Sequence, residues 1–237
     1  MHLEGQHFMV TVCKPLLLVL QCPVERETAL VLGNALQNQI ELLRSRGFIP
    51  IRVHTDPQSA FRTLTTKFEN VMIDTGGAGD YVPKADIQIR RIKEMVRGIK
   101  AVLPWKLPPF LLKDLIAFAV SRINIRRSTA VSQNVCARVA FTGIKLDFRK
   151  ELSLGFGDYC EVYDGTDNTT KSRSLPCVAL YPCCNIAGSW AFYSLTTKTR
   201  ICRMQLKKMV TSAEFVEKMN ALDSDAVALE PVGENEQ

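Results

Sequence analysis

The sequence predicts a domain of the α/β class followed by a small β-rich domain, and three observations support this fold class. From residue 7 to residue 125, short apolar runs alternate with stretches whose apolar residues recur every three or four positions, as in layered α/β domains. After Gly157 the chain changes to short apolar runs separated by turn signals, which is typical of a small β-barrel. The apolar fraction of 46% is high enough to fill a core.

The chain opens with a predicted β-hairpin and a helix. His7–Cys13 and Leu16–Cys22 are apolar runs, and the Lys-Pro pair between them suits a turn. A helix is predicted over 28–46, because apolar residues recur at helical spacing and Gly47 can end it. The positions expected to face the core are Leu30, Leu32, Ala35, Leu36, Ile40 and Leu43.

Two short strands with a helix between them are predicted next. Ile49–His54 is expected to be a strand of the buried kind, and it ends shortly before Asp56. The proline after Asp56 suits the first turn of a helix, which is expected over Gln58–Phe68. Asn70–Asp74 is the second strand, and the glycine-rich loop at 76–79 matches no phosphate-binding motif.

Two longer helices complete the α/β domain. The first begins near Pro83 and ends before Pro104, and the second covers Leu107–Ile125. The two tryptophans, Trp105 and Trp190, are expected in the core rather than stacked on bases. The core-facing helix positions are expected to be Ile89, Ile92, Val96 and Ile99 in the first helix, and Leu111, Leu115, Phe118, Ala119 and Ile123 in the second.

The predicted domain limits follow this pattern. Residues 1–128 form the α/β domain, 129–157 a linker, 158–210 the small β-barrel domain, and 211–237 an acidic tail that is expected to be disordered. The predicted strands of the barrel are Tyr159–Tyr163, Cys177–Tyr181, Trp190–Ser194 and Arg200–Met204.

Basic residues are concentrated in the middle of the chain. The formal net charge is +6, but residues 84–127 hold eleven Lys and Arg against three acids, a local net charge of +8. Such a segment favours a polyanionic partner such as a nucleic acid. The alternative is a solvated helix face without a partner, and composition alone does not separate the two.

The cysteines and the apolar runs exclude several protein classes. None of the eight cysteines forms a C-x-x-C pair and the chain has three histidines, so no zinc site is expected. Reduced thiols fit an intracellular protein, in the nucleus or the cytoplasm, rather than a secreted one. The apolar run 8–20 is interrupted and too short to cross a bilayer, so no membrane partner is expected.

Two aspartates are placed where a metal site can form. Asp56 follows a predicted strand, and Asp86 lies about one turn into the helix that begins near Pro83. Carboxylates that meet at a strand end from different elements suit Mg²⁺, which prefers hard oxygen ligands. The structural alternative needs no metal, because Asp56 can cap a helix and Asp86 can interact with a helix dipole.

Two segments around these aspartates carry a family resemblance. VHTDPQSAF, residues 53–61, contains Asp56, and YVPKADIQIRRIKE, residues 81–94, contains Asp86. The first resembles the second-aspartate motif, and the second resembles the third-acid segment, of the integrase region in copia-type retrotransposon polyproteins, which belongs to the retroviral-type DDE integrase family. The resemblance continues through LPWKLP (103–108), RIN (122–124), FTGIKLD (141–147) and FGDY (156–159) to Val210.

The resemblance implies a ribonuclease H-like (RNase H-like) core that lacks its first strand, followed by a small β-barrel domain. It implies DNA integration by strand transfer that depends on Mg²⁺ or Mn²⁺, with Asp56 and Asp86 as catalytic metal ligands and no zinc. The implied partners are DNA, as element ends and as target DNA, and a second copy of the chain in a homo-oligomer. The expected DNA contacts are Arg90, Arg91, Lys93, Arg97 and Lys100 in the helix, and Lys198, Arg200, Arg203, Lys207 and Lys208 in the β domain.

The chain departs from the family pattern in two ways. The third acid of the family is normally glutamate, and Asp86 is one methylene shorter; Glu94 is a poorer substitute because it lies about 12 Å further along the helix. The first aspartate of the family would fall before Met1, and Glu4 should point away from the site because a strand alternates its faces. An inactive relic or a co-opted nucleic-acid-binding protein is therefore the alternative, and a globular protein with some other partner is a third hypothesis.

Overall fold

In this computed structural model the described residues are 1–55, 68, 70–75, 83–126, 135–165 and 172–228, without the side chains of 223–228. The chain divides into two compact units, the first of Met1–Glu94 and Arg122–Gly143, the second of Met95–Ser121 and Ile144–Gln237. The domain limits given above divide the chain differently, by sequence texture, and stay a prediction. Asp56, the predicted loop at 76–79 and, except for Phe68, the predicted helix at 58–68 lie outside the described residues.

The first unit contains two separate sheets. β1 (His2–Leu3), β2 (Gln6–Cys13) and β3 (Leu18–Val24) form an antiparallel sheet in that order. The predicted hairpin is therefore confirmed. β4 (Arg52–Thr55) and β5 (Met72–Thr75) form a parallel pair, in which His54 lies opposite Asp74.

Strand β4 is more exposed than its apolar sequence predicted. Ile49 and Ile51, which precede it, are each 76% exposed, and Arg52 is exposed as well. The prediction of a buried strand is wrong here. In the part of the chain that the structure describes, β4 is paired only with β5, so its other edge has no neighbouring strand to cover it.

Helix α1 (Ala29–Arg44) supplies much of the core of the first unit. It begins after Thr28, whose Oγ1 accepts a hydrogen bond of 3.4 Å from the N–H of Val31, as an N-cap does. The predicted core position Leu30 is wrong, because this residue is 66% exposed. The other predicted positions follow the helical spacing, and the main buried cluster consists of Met9, Val24, Leu32, Leu36, Ile40, Phe68 and Val71.

Two long helices contribute residues to both units. α2 covers Pro83–Val102, and α3 covers Leu112–Asn124 after a single 3₁₀ turn at Pro109–Leu111. Both helices confirm the prediction, and Ile92 and Val96 of α2 are almost fully buried. The predicted core positions of the second helix are buried too, namely Leu111, Leu115, Phe118, Ala119 and Ile123.

A buried asparagine joins the end of α3 to the first sheet. The Oδ1 atom of Asn124 accepts a hydrogen bond of 2.9 Å from the N–H of Val19, and its Nδ2 donates one of 2.8 Å to the Val19 carbonyl. Val19 is fully buried in β3. Buried backbone groups need partners, so these two bonds satisfy both polar groups of Val19 and fix the helix end against the strand.

The second unit is built on a five-stranded antiparallel sheet. The four predicted strands are confirmed, and a fifth was missed because it has three residues, two of which are lysines. The strands are β6 (Tyr159–Tyr163), β7 (Ser174–Pro182), β8 (Trp190–Ser194), β9 (Arg200–Arg203) and β10 (Leu206–Lys208), in the order β10-β6-β7-β8-β9.

The two edge strands of this sheet, β9 and β10, are joined by only two residues, Met204 and Gln205. A link of that length spans about 11 Å, whereas the edges of a flat five-stranded sheet lie about 19 Å apart. The sheet must therefore curve. An ion pair agrees with this, since Arg203 Nη2 on β9 reaches the Asp164 Oδ1 just after β6 at 3.1 Å.

Aromatic residues fill the core of the second unit, as predicted for the tryptophans. Trp105 and Trp190 are buried. The Trp190 Nε1 donates a hydrogen bond of 3.1 Å to the carbonyl of Lys150, and the Trp190 ring lies 6.4 Å from that of Phe118. Gly157 has a φ of 87° and lies against this core. A Cβ added there would be 2.6 Å from a methyl group of Leu103, so the position has no room for a side chain.

Two segments predicted to be irregular contain helices. The predicted linker 129–157 includes α4 (Ala137–Thr142) and α5 (Phe148–Glu151), and the predicted tail 211–237 includes α6 (Ala213–Ala228). The expectation of disorder is wrong for α6, because Phe215 and Met219, one turn apart, give it a face to bury. The Phe215 ring stacks on Tyr159 with centroids 4.7 Å apart.

We expect the substitution Asn124→Ala to lower the free energy of unfolding by about 2–4 kcal/mol, because it leaves both polar groups of buried Val19 unpaired. Urea unfolding followed by circular dichroism measures the change. Ser121→Ala is the matched control, since the Ser121 hydroxyl donates only to the Phe118 carbonyl of its own helix, at 2.7 Å. Its effect should stay within about 0.5 kcal/mol. Equal losses in the two variants would contradict the proposed role of Asn124.

Candidate functional site

Asp86 lies in the first turn of α2, as the sequence predicted, and its side chain is exposed. No hydrogen bond or ion pair joins it to another residue in the described part of the chain. Its carboxylate oxygens are therefore open to a cation or to water. The second predicted metal ligand, Asp56, lies outside the described residues.

The start of α2 and the end of β4 border the same cavity. This cavity has a volume of about 450 Å³, and Asp86, His54 and Thr55 are among its lining residues. The chain passes from Thr55 directly to Asp56. Asp86 and the end of the strand that precedes the other candidate carboxylate thus line the same cavity.

A further carboxylate at this end of the sheet was not found from the sequence. Asp74 on β5 lies opposite His54 in the parallel pair, and its Oδ2 is 3.2 Å from the His54 Nδ1. Both side chains are about half exposed. The sequence indicated both strands but not their register, and only the register brings Asp74 beside the histidine.

The described residues do not form a complete metal centre. No group of three or more His, Cys, Asp or Glu side chains that could hold a metal ion occurs among them. Of the two described acids that line the cavity, Glu27 is paired with His7, whereas Asp86 offers free oxygen ligands of the type that Mg²⁺ prefers. Glu94 is exposed two turns further along α2 and borders no part of the cavity.

The exposed side of α2 is strongly basic. Arg90, Arg91 and Arg97 are exposed, while Lys93 and Lys100 are half-buried. Their opposite side is the apolar stripe that contains Ile92 and Val96. The helix therefore presents a row of cations that starts one turn after Asp86, and a role in DNA binding stays a prediction for all five.

The basic residues predicted in the β domain have different surroundings. Arg200 donates hydrogen bonds of 3.0 Å and 2.7 Å to the two Asp114 oxygens and one of 2.9 Å to the Phe110 carbonyl. The side chain of Asp114 is only 4% exposed. The hydrogen bonds to Asp114 raise the pKa of Arg200 above its ordinary value. Arg200 thus has a structural partner within its own unit.

Two more of these cations hold carboxylates, and the other two are exposed lysines. Arg203 lies against Asp164, and the Nζ of Lys208 is 2.6 Å from the Asp158 Oδ2. Lys207 and Lys198 are exposed, and Lys198 stands in the turn before β9 with φ 53°. Binding of DNA by this second group, Lys198, Arg200, Arg203, Lys207 and Lys208, likewise stays a prediction.

Three cysteine thiols of the second unit do not favour nucleophilic chemistry. Burial raises the pKa of Cys183 to about 12, and it does the same for Cys160 and Cys177. A thiol must lose its proton to act as a nucleophile. These three cysteines are therefore protonated near neutral pH.

No protein-family model and no curated protein matches this chain. Among solved structures, the chain is similar to one described as the crystal structure of the catalytic core domain of BIV integrase in crystal form I, with a TM-score of 0.43 and 16% identity. The match covers 60% of this chain and 90% of that chain. A TM-score at this level does not establish a shared fold, so the candidate function rests on the residues themselves. No helix in the described ranges is long and apolar enough to cross a membrane.

We expect Arg200→Ala to lower the free energy of unfolding by about 1–3 kcal/mol, because it leaves the buried Asp114 carboxylate without its partner. The loss should be smaller than for a fully buried pair, since the Arg200 side chain is 36% exposed and water can reach the vacated site. Lys207→Ala removes an exposed cation from the same unit and should change stability by less than about 0.5 kcal/mol. Urea unfolding of both variants measures the difference. The double substitution Asp114→Leu with Arg200→Met should regain most of the loss, since no charge is then left buried. A small effect of Arg200→Ala on stability would instead indicate that Arg200 is available to bind DNA.

Proposed function

We propose that this chain is part of an integrase of the retrotransposon type, which in the full-length protein joins DNA ends to a target DNA. The observation that carries the proposal is the position of Asp86. It stands with unpaired oxygens at the start of a basic helix and borders the same cavity as the end of β4, from which the chain continues to Asp56. An RNase H-like core is the architecture that goes with this proposal.

The metal-dependent part of the proposal assigns Asp56 and Asp86 as ligands of Mg²⁺ or Mn²⁺. A bound metal of this kind neutralises charge on the phosphate and activates the attacking hydroxyl or water. Two-metal strand transfer calls for more than two carboxylates. We therefore propose that a further acid, outside the described residues, completes the set of metal ligands.

The DNA-binding part of the proposal rests on α2. Arg90 and Arg91 are exposed next to the candidate metal ligand, where they can contact the phosphates that flank a reacting bond. Contacts of this kind are independent of base sequence and weaken as salt rises. The apolar side of the helix is held in the core by Ile92, so the cations are presented on a fixed support.

We also propose that the sheet of the second unit closes into a small β-barrel with a DNA-binding surface. The two-residue link between β9 and β10 supports a strongly curved sheet. The exposed lysines of this unit, Lys198 and Lys207, are the cations most accessible to phosphate. DNA, in the form of element ends and target, and a second copy of the chain are the proposed partners.

A second candidate function is nucleic-acid binding without catalysis. One observation favours it: at position 86 an aspartate stands where the resembling family normally has glutamate. This protein would keep the basic side of α2 but would not cleave or join DNA. The two experiments below separate the candidates, because one measures binding and the other measures chemistry.

Reversing two charges on α2, with Arg90→Glu and Arg91→Glu, should weaken DNA binding by at least tenfold at 50–100 mM salt, roughly the range where phosphate contacts dominate. The slope of log K against log salt concentration should also become shallower by about 0.9 for each phosphate contact that is lost. Fluorescence anisotropy with a labelled duplex measures both. Arg44→Glu with Arg46→Glu is the matched control, because it makes the same change in net charge at exposed sites near the end of α1. If the two double substitutions weakened DNA binding equally, the cause would be the change in net charge and not the loss of contacts made by Arg90 and Arg91.

Replacing Asp86 by asparagine should abolish strand transfer in Mg²⁺ or Mn²⁺ while leaving DNA binding within about twofold, because the amide keeps the shape but loses the charge that holds the metal. Glu94→Gln is the control on the same helix and should keep the activity. The measurement is the joining of a labelled DNA end to a plasmid. If the unaltered chain joins no DNA yet binds it in the previous experiment, the non-catalytic candidate is the one that stands.

A further inference from the structure

Two cysteine thiols of the second unit, Cys183 and Cys202, lie on one face of its sheet. Cys202 is in β9, opposite Ala191 of β8. Cys183 follows β7, and its N–H donates a hydrogen bond of 2.8 Å to the Ser189 carbonyl, which extends the register of β7 with β8 by one residue. Side chains alternate along a strand, so Cys183 shares the face of Tyr181, which is also opposite Ala191. The two thiols are therefore on the same face, with β8 between their strands.

The two thiols also contact each other across β8. Burial raises the pKa of Cys183 to about 12, and a hydrogen bond between its side chain and that of Cys202 adds to the rise. Ala191, which lies between them, has only a methyl group, and this small side chain leaves the space in which the thiols meet. Cys202 is exposed and Cys183 is half-buried, so an ion can reach the pair from solvent.

The spacing of the strands does not suit a disulfide between these two residues. Neighbouring strands are about 4.8 Å apart, so β7 and β9 are roughly 9–10 Å apart. The Cα atoms that a disulfide joins are at most about 7 Å apart. An ion held between two thiolates bridges a wider gap, because two metal–sulfur bonds of about 2.3 Å replace one sulfur–sulfur bond of about 2.05 Å. A bound ion therefore fits this pair better than a disulfide does.

The number and type of donor atoms select the kind of ion. Zinc in structural sites takes four ligands, and Mg²⁺ takes oxygen ligands in an octahedral arrangement. A soft monovalent ion such as Cu⁺ prefers thiolates and is satisfied by two of them. The adjacent thiol of Cys184 is directed elsewhere, since it donates a hydrogen bond of 3.3 Å to the Pro182 carbonyl. The pair thus favours Cu⁺ over the common divalent ions.

We propose that Cys183 and Cys202 form a binding site for one soft monovalent metal ion, of which Cu⁺ is the type. The ion is held between the two sulfurs and displaces a proton from each thiol, and no electron is transferred. The bound ion links β9 to the end of β7. The proposal does not depend on DNA integration, because neither cysteine is among the residues assigned to DNA or to Mg²⁺.

The test titrates the whole, fully reduced chain with Cu⁺ under nitrogen, in competition with bicinchoninate, whose Cu⁺ complex is coloured. The chain should withdraw one equivalent of Cu⁺ from this chelator. Cys202→Ser and Cys183→Ser should each weaken the binding of that equivalent by about a hundredfold or more, since even a partner outside the ligand set contributes 10- to 100-fold. Cys184→Ser is the matched control in the same turn and should keep the affinity. Circular dichroism checks that each variant is folded, and the exposed position of Cys202 makes its variant the safer one.

Four results would overturn the proposal. The unaltered chain could withdraw no Cu⁺, or Cys202→Ser could keep the full affinity. Cys184→Ser could lose as much affinity as Cys183→Ser, because the adjacent pair would then hold the ion. Finally, treatment with diamide could join Cys183 to Cys202 in a disulfide, detected by mass mapping of unreduced peptides, which would show that the thiols are too close for a bridging ion.

Discussion

In the first unit, every backbone N–H and C=O group along a strand edge needs a hydrogen-bond partner. The rest of this unit depends on that constraint. Where partners exist, the structure is tightly fixed, as at Val19, whose backbone N–H and C=O are both satisfied by the side chain of Asn124. Along β4, which pairs only with β5 among the described strands, the side chains of Arg52 and His54 are exposed, and a cavity of about 450 Å³ borders this strand. The candidate carboxylate Asp86 borders that same space.

Burial decides which basic residues are available to a partner. The sequence presents Arg90 and Arg200 as equivalent cations, yet the first is exposed on a helix and the second holds a carboxylate that is almost completely buried. Separating Arg200 from Asp114 would leave that carboxylate uncompensated, which costs far more than a surface contact with phosphate returns. The electrostatic surface that a polyanion can use is therefore smaller than the composition suggests, and in the first unit it lies on α2.

Local patterns in the sequence predicted the elements well and their partners poorly. The hairpin, α1, α2, α3 and four strands of the second unit follow from alternation, helical spacing and turn residues. The neighbour of each element depends on residues far away in the chain, which no local pattern encodes. Asp74 was missed as a companion of His54 for this reason, and Leu30 and Ile49 were wrongly placed inside. The resemblance around Asp56 and Asp86 indicated candidate site residues but could not give the surroundings of either.

The short link between β9 and β10 has a consequence for the behaviour of the chain at high concentration. Open sheet edges are where protein chains add to one another and aggregate. In the second unit, the curvature that the link imposes draws the two edges towards each other, and lysines occupy two of the three positions of β10. The curvature and the two lysines thus both oppose the addition of a further strand at the edges of this sheet.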